Sequence, residues 1–270
     1  MRILIANDDG IYSPGLATLA GEALRFGEVR IVAPDVEQSS MGHAITHSRP
    51  LTVRRTPLGE FQAWRVNGTP ADCVTLGCSA WGQVDVVLSG INLGMNLGNS
   101  MWHSGTLAAA KQAALLGLRG IALSTSLADD APNYDRLRPW VAQVLELLLP
   151  QEELELVNVN LPEDPQGVCW TRQSVRHYAS QVVPGKDPMG REHAWIVTVP
   201  ITETEEGTDR WAVDQGLVSI TPLRLDLTDL RTLDAARRRV PLSDGDADGE
   251  PGAALEPVRP HALGERRSRG

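Results

Sequence analysis

Short apolar runs alternate with longer amphipathic patterns through most of this chain, and that alternation leaves few architectures open to it. Strands are expected at 3–6, 29–33, 84–88, 121–124 and 157–160, and helices at 14–26, 70–78, 106–116 and 137–149. Leu16, Leu19, Ala20, Ala23 and Leu24 share one face of the first helical pattern. Thr69 and Pro70 have the chemistry of a helix cap and a first turn. Repeated β-α-β units imply an α/β fold, a doubly wound, mostly parallel, Rossmann-like sheet. From about Cys169 the pattern changes. Residues 182–183, 194–199 and 218–220 read as strands between Gly- and Pro-containing turns. They suggest antiparallel β-ribbons, spanning about 169–225, appended to the sheet and suited to contact between subunits of a homodimer or homotetramer. One domain is expected over 1–232; the stretch 233–270 has little to bury and is expected to be disordered.

At 270 residues with 42% hydrophobic content, the chain can bury a substantial core. Its net charge of -9 argues against duplex nucleic acid or an anionic membrane as the main partner. Cys73, Cys78 and Cys169 are odd in number and lack CxxC spacing, so neither a disulfide framework nor structural zinc is expected, and a reducing cytoplasm fits best. The chain opens on a strand rather than a signal peptide, and no apolar run reaches membrane-spanning length.

The first strand, Ile3-Leu4-Ile5-Ala6, ends in Asn7-Asp8-Asp9-Gly10. In open α/β sheets ligands bind outside the carboxyl ends of strands, which is where Asp8 and Asp9 fall. Adjacent carboxylates repel, and a divalent cation lets both stay ionised; an Asp-Asp-Gly turn with an incidental cap is the plainer alternative. Three more segments follow strands and so share that rim. After the second strand, Ser39 offers a hydroxyl oxygen to a hard cation. After the third, Ser89–Gly98 alternates glycines with Asn92 and Asn96, able to bend tightly and aim amide groups at an anion. Ser104-Gly105-Thr106 then opens an Ala-rich helix, with Ser104 as N-cap and free N–H groups suited to phosphate. Together these residues read as metal-plus-phosphate chemistry.

The segments NDDGIYSPG (7–15), VAPDVEQSSMGHAIT (32–46), GTPADCVTLG (68–77), SGINLGMNLG (89–98) and SGTLAAAKQA (104–113), with a weaker GTDRWAVDQGLVSITPL (207–223), resemble the SurE family of metal-dependent nucleoside monophosphate phosphatases. The resemblance runs over roughly residues 1 to 230. It implies that Asp8, Asp9, Ser39 and Asn92 hold one divalent cation, Mg²⁺ or Mn²⁺, with Asp8 and Asp9 central to catalysis. It likewise implies that Asn96, Ser104, Gly105 and Thr106 cradle the phosphate of a nucleotide substrate. The chain departs from the family at Asn99-Ser100, where members often carry acidic residues; the four ligand positions are intact.

The expected activity is hydrolysis of nucleoside 5'-monophosphates, with 3'-monophosphates as further candidates. Two other readings stay open at this level: a phosphatase with Asp8 or Asp9 as covalent nucleophile, and a non-enzymatic phospho-receiver or nucleotide-sensing module. His43, His47 and His103 could protonate a leaving group or be bystanders, and Trp102 could stack on a base or pack. Lys111 falls more than a turn beyond Thr106, which suits a surface charge better than a phosphate contact.

Overall fold

The computed structural model describes residues 1–126, 132–175, 180–198 and 203–240. In chain order the elements are β1 (Arg2–Ala6), α1 (Pro14–Ala23), β2 (Glu28–Pro34), β3 (Val53–Leu58), β4 (Phe61–Val66), α2 (Pro70–Trp81), β5 (Val86–Leu93), α3 (Gly105–Leu115), β6 (Arg119–Thr125), α4 (Tyr134–Leu148), β7 (Leu156–Leu161), β8 (Gly167–Trp170), β9 (Ser180–Lys186), β10 (Glu192–Thr198), α5 (Asp209–Asp214), β11 (Leu217–Pro222) and α6 (Leu230–Arg239). Nine strands form one sheet in the order β3-β4-β2-β1-β5-β6-β7-β11-β8. It is parallel except where β3 meets β4 and β11 meets β7.

Strand β1 shows why the sheet is covered on both sides. Ile3 and Ile5 join one apolar cluster with Leu16 and Leu19 of α1 and Val141, Val144 and Leu145 of α4. Leu4 and Ala6, pointing the other way, join Cys73 and Val74 of α2 and Ala109 and Ala113 of α3. Helices α1 and α4 therefore cover one face and α2 and α3 the other. Thr69 starts α2 with a reciprocal cap: its hydroxyl accepts from the Asp72 amide and its own amide donates to the Asp72 carboxylate.

The order β2-β1-β5 places the topological switch between β1 and β5, because the chain winds outward to β2 on one side and to β5 on the other. A crevice opens at such a point beyond the strands' carboxyl ends. Asp8 and Asp9 leave β1 there, and Asn92 lies near the end of β5.

Several expectations are corrected. Strand β5 runs on past the expected end at residue 88, through an irregularity between Ser89 and Asn92, so the first half of the Gly/Asn segment is strand rather than loop. Residues 218–220 are no ribbon: β11 inserts between β7 and β8 in the main sheet. Among the described residues only β9 and β10 form a separate two-stranded sheet. The hairpin β3–β4, unassigned from sequence, extends the sheet beyond β2. The chain divides into two compact units, Met1–Leu223 and Arg224–Gly270. Residues 233–239, expected to be disordered, belong to α6, whose first turn Asp229 caps and whose last turn places Arg237, Arg238 and Arg239 at the negative end of the helix dipole. The remainder of the expected tail, 241–270, lies outside the described residues.

Candidate active site

The turn after β1 is closed by Asn7, fully buried, whose Nδ2 donates to the Gly10 carbonyl at 3.0 Å. This presents two consecutive carboxylates at the rim. Asp8 is buried, and its Oδ1 accepts from the Thr106 hydroxyl at 2.6 Å. Asp9 accepts from the Leu93 amide at 3.3 Å, joining the β1 turn to the end of β5. Burial pushes the Asp8 carboxyl above its ordinary value, against the opposing pull of the Thr106 hydroxyl. Burial, and next the charge on Asp8, push Asp9 up to about 7. Glu37 adds to both effects.

The loop after β2 crosses this rim because the Gln38 amide donates to the Asp8 carbonyl at 2.7 Å and the Gly42 amide to the His103 carbonyl at 3.0 Å. It carries Ser39, whose hydroxyl donates to Glu37 at 2.6 Å and so keeps oxygen lone pairs for a cation. Asn92 donates from Nδ2 to the Gly94 carbonyl, which fixes the amide and leaves its carbonyl oxygen available to a cation. Asp8, Ser39, Asn92, Asn96, His103 and Ser104 line one cavity of about 230 Å³. Two carboxylates raised chiefly by burial, with the Ser39 hydroxyl and the Asn92 amide oxygen beside them, fit a hard divalent cation; His103 and Met95 also line the cavity. Among the described residues no group of three or more His, Cys, Asp or Glu side chains is placed to hold a metal ion, so a cation here would draw on hydroxyl and amide oxygens as well as on carboxylates.

Ser104 caps α3, accepting from the Leu107 amide at 3.0 Å. Gly105 is needed for a reason the sequence does not show. A Cβ there would lie 2.8 Å from Asp8 Cβ and 2.9 Å from Asp8 Oδ2, so the helix start is packed onto the carboxylate itself. Thr106 is fully buried with its hydroxyl on Asp8. None of Asp9, Gly105 and Thr106 is among the residues lining the cavity. Asn96, also buried, donates from Nδ2 to Ser124 at 2.8 Å and, at 3.5 Å, to Thr106. A continuous polar chain thus runs Asp8–Thr106–Asn96–Ser124 beneath the rim.

The other polar candidates separate. His103 lines the cavity, whereas His43 bonds Gln112 at 2.9 Å. His47 is exposed. Lys111 sits 5.8 Å from the ring of the half-exposed Trp102. Sequence reasoning missed Asn7, Glu37, Ser124, Asn158, Asn160 and Asp209. A signal existed for two of them: Asn158 and Asn160 stand two apart in an otherwise apolar strand, and buried amides require partners.

The family model described as "Survival protein SurE" matches residues 3–180. The chain belongs to the SurE family. Similar relatives include "5'-nucleotidase SurE 1" of Thermus thermophilus, 47% identical over 84% of this chain and 93% of that protein. "5'-nucleotidase SurE" of Deinococcus radiodurans is 43% identical over 84% and 88% of the two chains. Among solved structures, the SurE protein from Aquifex aeolicus superposes with a TM-score of 0.76 at 36% identity, covering 88% of this chain and 99% of that one.

Proposed function

We propose that this SurE-family chain is a metal-dependent phosphomonoesterase that hydrolyses nucleoside 5'-monophosphates to nucleoside and phosphate. The observation that carries the reading is the set of oxygen donors at the switch point: Asp8, Ser39 and Asn92 line one cavity with Asn96 and Ser104, and Asp9 adjoins it through its bond from the Leu93 amide. The printed names of its relatives, 5'-nucleotidases, support the same substrate class. A divalent cation, Mg²⁺ or Mn²⁺, held by those four residues would neutralise phosphate charge and acidify water. The α3 N-terminus would orient the phosphoryl group and offset its developing charge with its free N–H groups, and Asn96 would reach it by giving up the 3.5 Å contact from Nδ2 to Thr106. Gly105 and Thr106 would act mainly through Asp8, by holding its carboxylate at one orientation.

Two further readings accompany this one. The thiols Cys73, Cys78 and Cys169 are all free, which suits a cytoplasmic protein, and no described helix is long and apolar enough to cross a membrane. The β9–β10 hairpin is the surface through which a homodimer or homotetramer would form.

The test is phosphate release from nucleoside 5'- and 3'-monophosphates after chelation, with single metals added back. Release should vanish with chelator and return with Mg²⁺ or Mn²⁺. Full turnover with the metal shown to be absent would sink the reading, and trapping of a phosphoaspartate would replace it with the covalent route.

A further inference from the structure

Asn96 lies in irregular backbone between β5 and a short 3-10 helix, Gly98–Trp102, so no neighbouring strand satisfies its main chain. Buried N–H and C=O groups require partners. They find them on β7, two strands beyond β5 in the sheet. Asn160 Oδ1 accepts from the Asn96 amide at 2.8 Å, and Asn160 Nδ2 donates to the Asn96 carbonyl at 3.1 Å. Asn158 Nδ2 donates to that same carbonyl at 2.8 Å. Both asparagines are fully buried and, two apart on a strand, face the same way. Side chains here do the work of a missing strand.

The loop is held at its other end too. Asp209, the first residue of α5 and fully buried, accepts from the Gly98 amide at 2.8 Å through Oδ2 and from the Ser174 amide at 3.0 Å through Oδ1. Gly98 has φ +53, and a Cβ there would lie 2.6 Å from the Ser174 carbonyl oxygen. The segment after β8 therefore closes directly onto the Asn96-Leu97-Gly98 turn. A carboxylate buried among N–H donors is costly unless every bond is made, so such an arrangement admits one geometry.

We propose that Asn158, Asn160 and Asp209 are positioning residues that fix the Asn96–Gly98 turn from outside the site, and that they set phosphate affinity independently of metal affinity. The proposal rests on the reading of Asn96 as a phosphate contact. The metal set uses β1, the loop after β2 and β5, and the clamp reaches it only through the 3.5 Å Asn96–Thr106 contact, so disturbing the clamp should change cation affinity far less than phosphate affinity.

The experiment compares wild type, Asn96→Ala, Asn160→Ala and Asp209→Asn, each with Mn²⁺ present. Calorimetry gives the dissociation constant of inorganic phosphate, metal titration gives the cation constant, and melting confirms folding. Asn160→Ala and Asp209→Asn should each weaken phosphate binding at least about fivefold, the scale of one lost buried hydrogen bond, with the cation constant within about twofold of wild type. Phosphate binding unchanged in Asn96→Ala removes the phosphate contact and this proposal with it. Weakened binding in Asn96→Ala but not in the two clamp variants overturns the positioning role alone. A parallel loss of phosphate and cation binding in the clamp variants assigns these residues to general core integrity and also overturns it. If Asn160→Ala does not fold, Asn158→Ala, which keeps both Asn160 bonds, decides by the same criterion.

Discussion

Asp8 and Asp9 are adjacent in sequence but differ in their surroundings. Asp8 is fixed by Thr106 and packed against Gly105, whereas Asp9 has the Leu93 amide and less burial. Asp8→Asn or Asp9→Asn removes one ligand charge with little change of shape. Each should lower kcat/KM at least about a hundredfold, roughly 2.7 kcal/mol of transition-state stabilisation; near-native turnover in either would end the shared-cation reading. The same residues make the metal-free protein sensitive to pH. Asp9 titrates at about 7 in the folded chain against 3.8 for a free carboxyl, so the folded state binds that proton more tightly. The stabilisation this gives is complete below about 4 and is lost as pH rises through about 7. Asp8 is shifted in the same direction. Melting temperatures in chelator should therefore show a falling contribution between those limits that Asp9→Asn removes and added cation suppresses. An identical pH slope in wild type and Asp9→Asn would show that folding does not raise Asp9.

At the scale of elements, much of the molecule is legible because its signals are local. The apolar run of β1, the Thr69 cap and the Ser104 cap each depend on a few consecutive residues, and the rim position of Asp8, Asn92 and Ser104 follows from β-α alternation. What stays hidden is non-local. Edge strand β3, with the sequence VRRTPL, is mostly exposed and contains a proline, so it lacks an apolar pattern. Strand β11 resembles ribbon until its partners, β7 and β8, are known. Thr106 reads as a phosphate contact, but its hydroxyl partner is 98 positions away. That pairing changes the expectation for the helix start. Gly105→Ala places a methyl against the Asp8 carboxylate, so it should raise both the cation requirement and the phosphate inhibition constant by at least about tenfold, while Ser104→Ala, a lost cap worth ~1 kcal/mol, should chiefly lower melting temperature. A Gly105→Ala protein with wild-type cation dependence would show that the contact relaxes without moving Asp8.

At the scale of the whole molecule, the feature that a single chain does not explain is the β9–β10 hairpin. Among the described residues its strands pair with each other alone, from Ser180↔Thr198 to Lys186↔Glu192. Two-stranded ribbons are marginal in water without a covered face. This one exposes Ile196 at 77%, Trp195 at 66% and Val182 at 64%, and because successive residues alternate, apolar groups emerge on both of its faces. Every residue lining the candidate-site cavity comes from elsewhere in the chain, so association through this hairpin would be separable from the proposed chemistry. Ile196→Glu puts a charge where a partner subunit would seat the side chain and should weaken association at least about tenfold, equivalent to roughly 1.4 kcal/mol. Light scattering over a dilution series should give a dimer or tetramer for wild type and a smaller species for Ile196→Glu, with turnover per chain within about twofold, under 0.5 kcal/mol in the barrier. A wild type that is monomeric at micromolar concentration would remove the hairpin's assigned role. Turnover that collapses on dissociation would instead mean that a second subunit holds the site in shape, and the separation between chemistry and assembly would have to be given up.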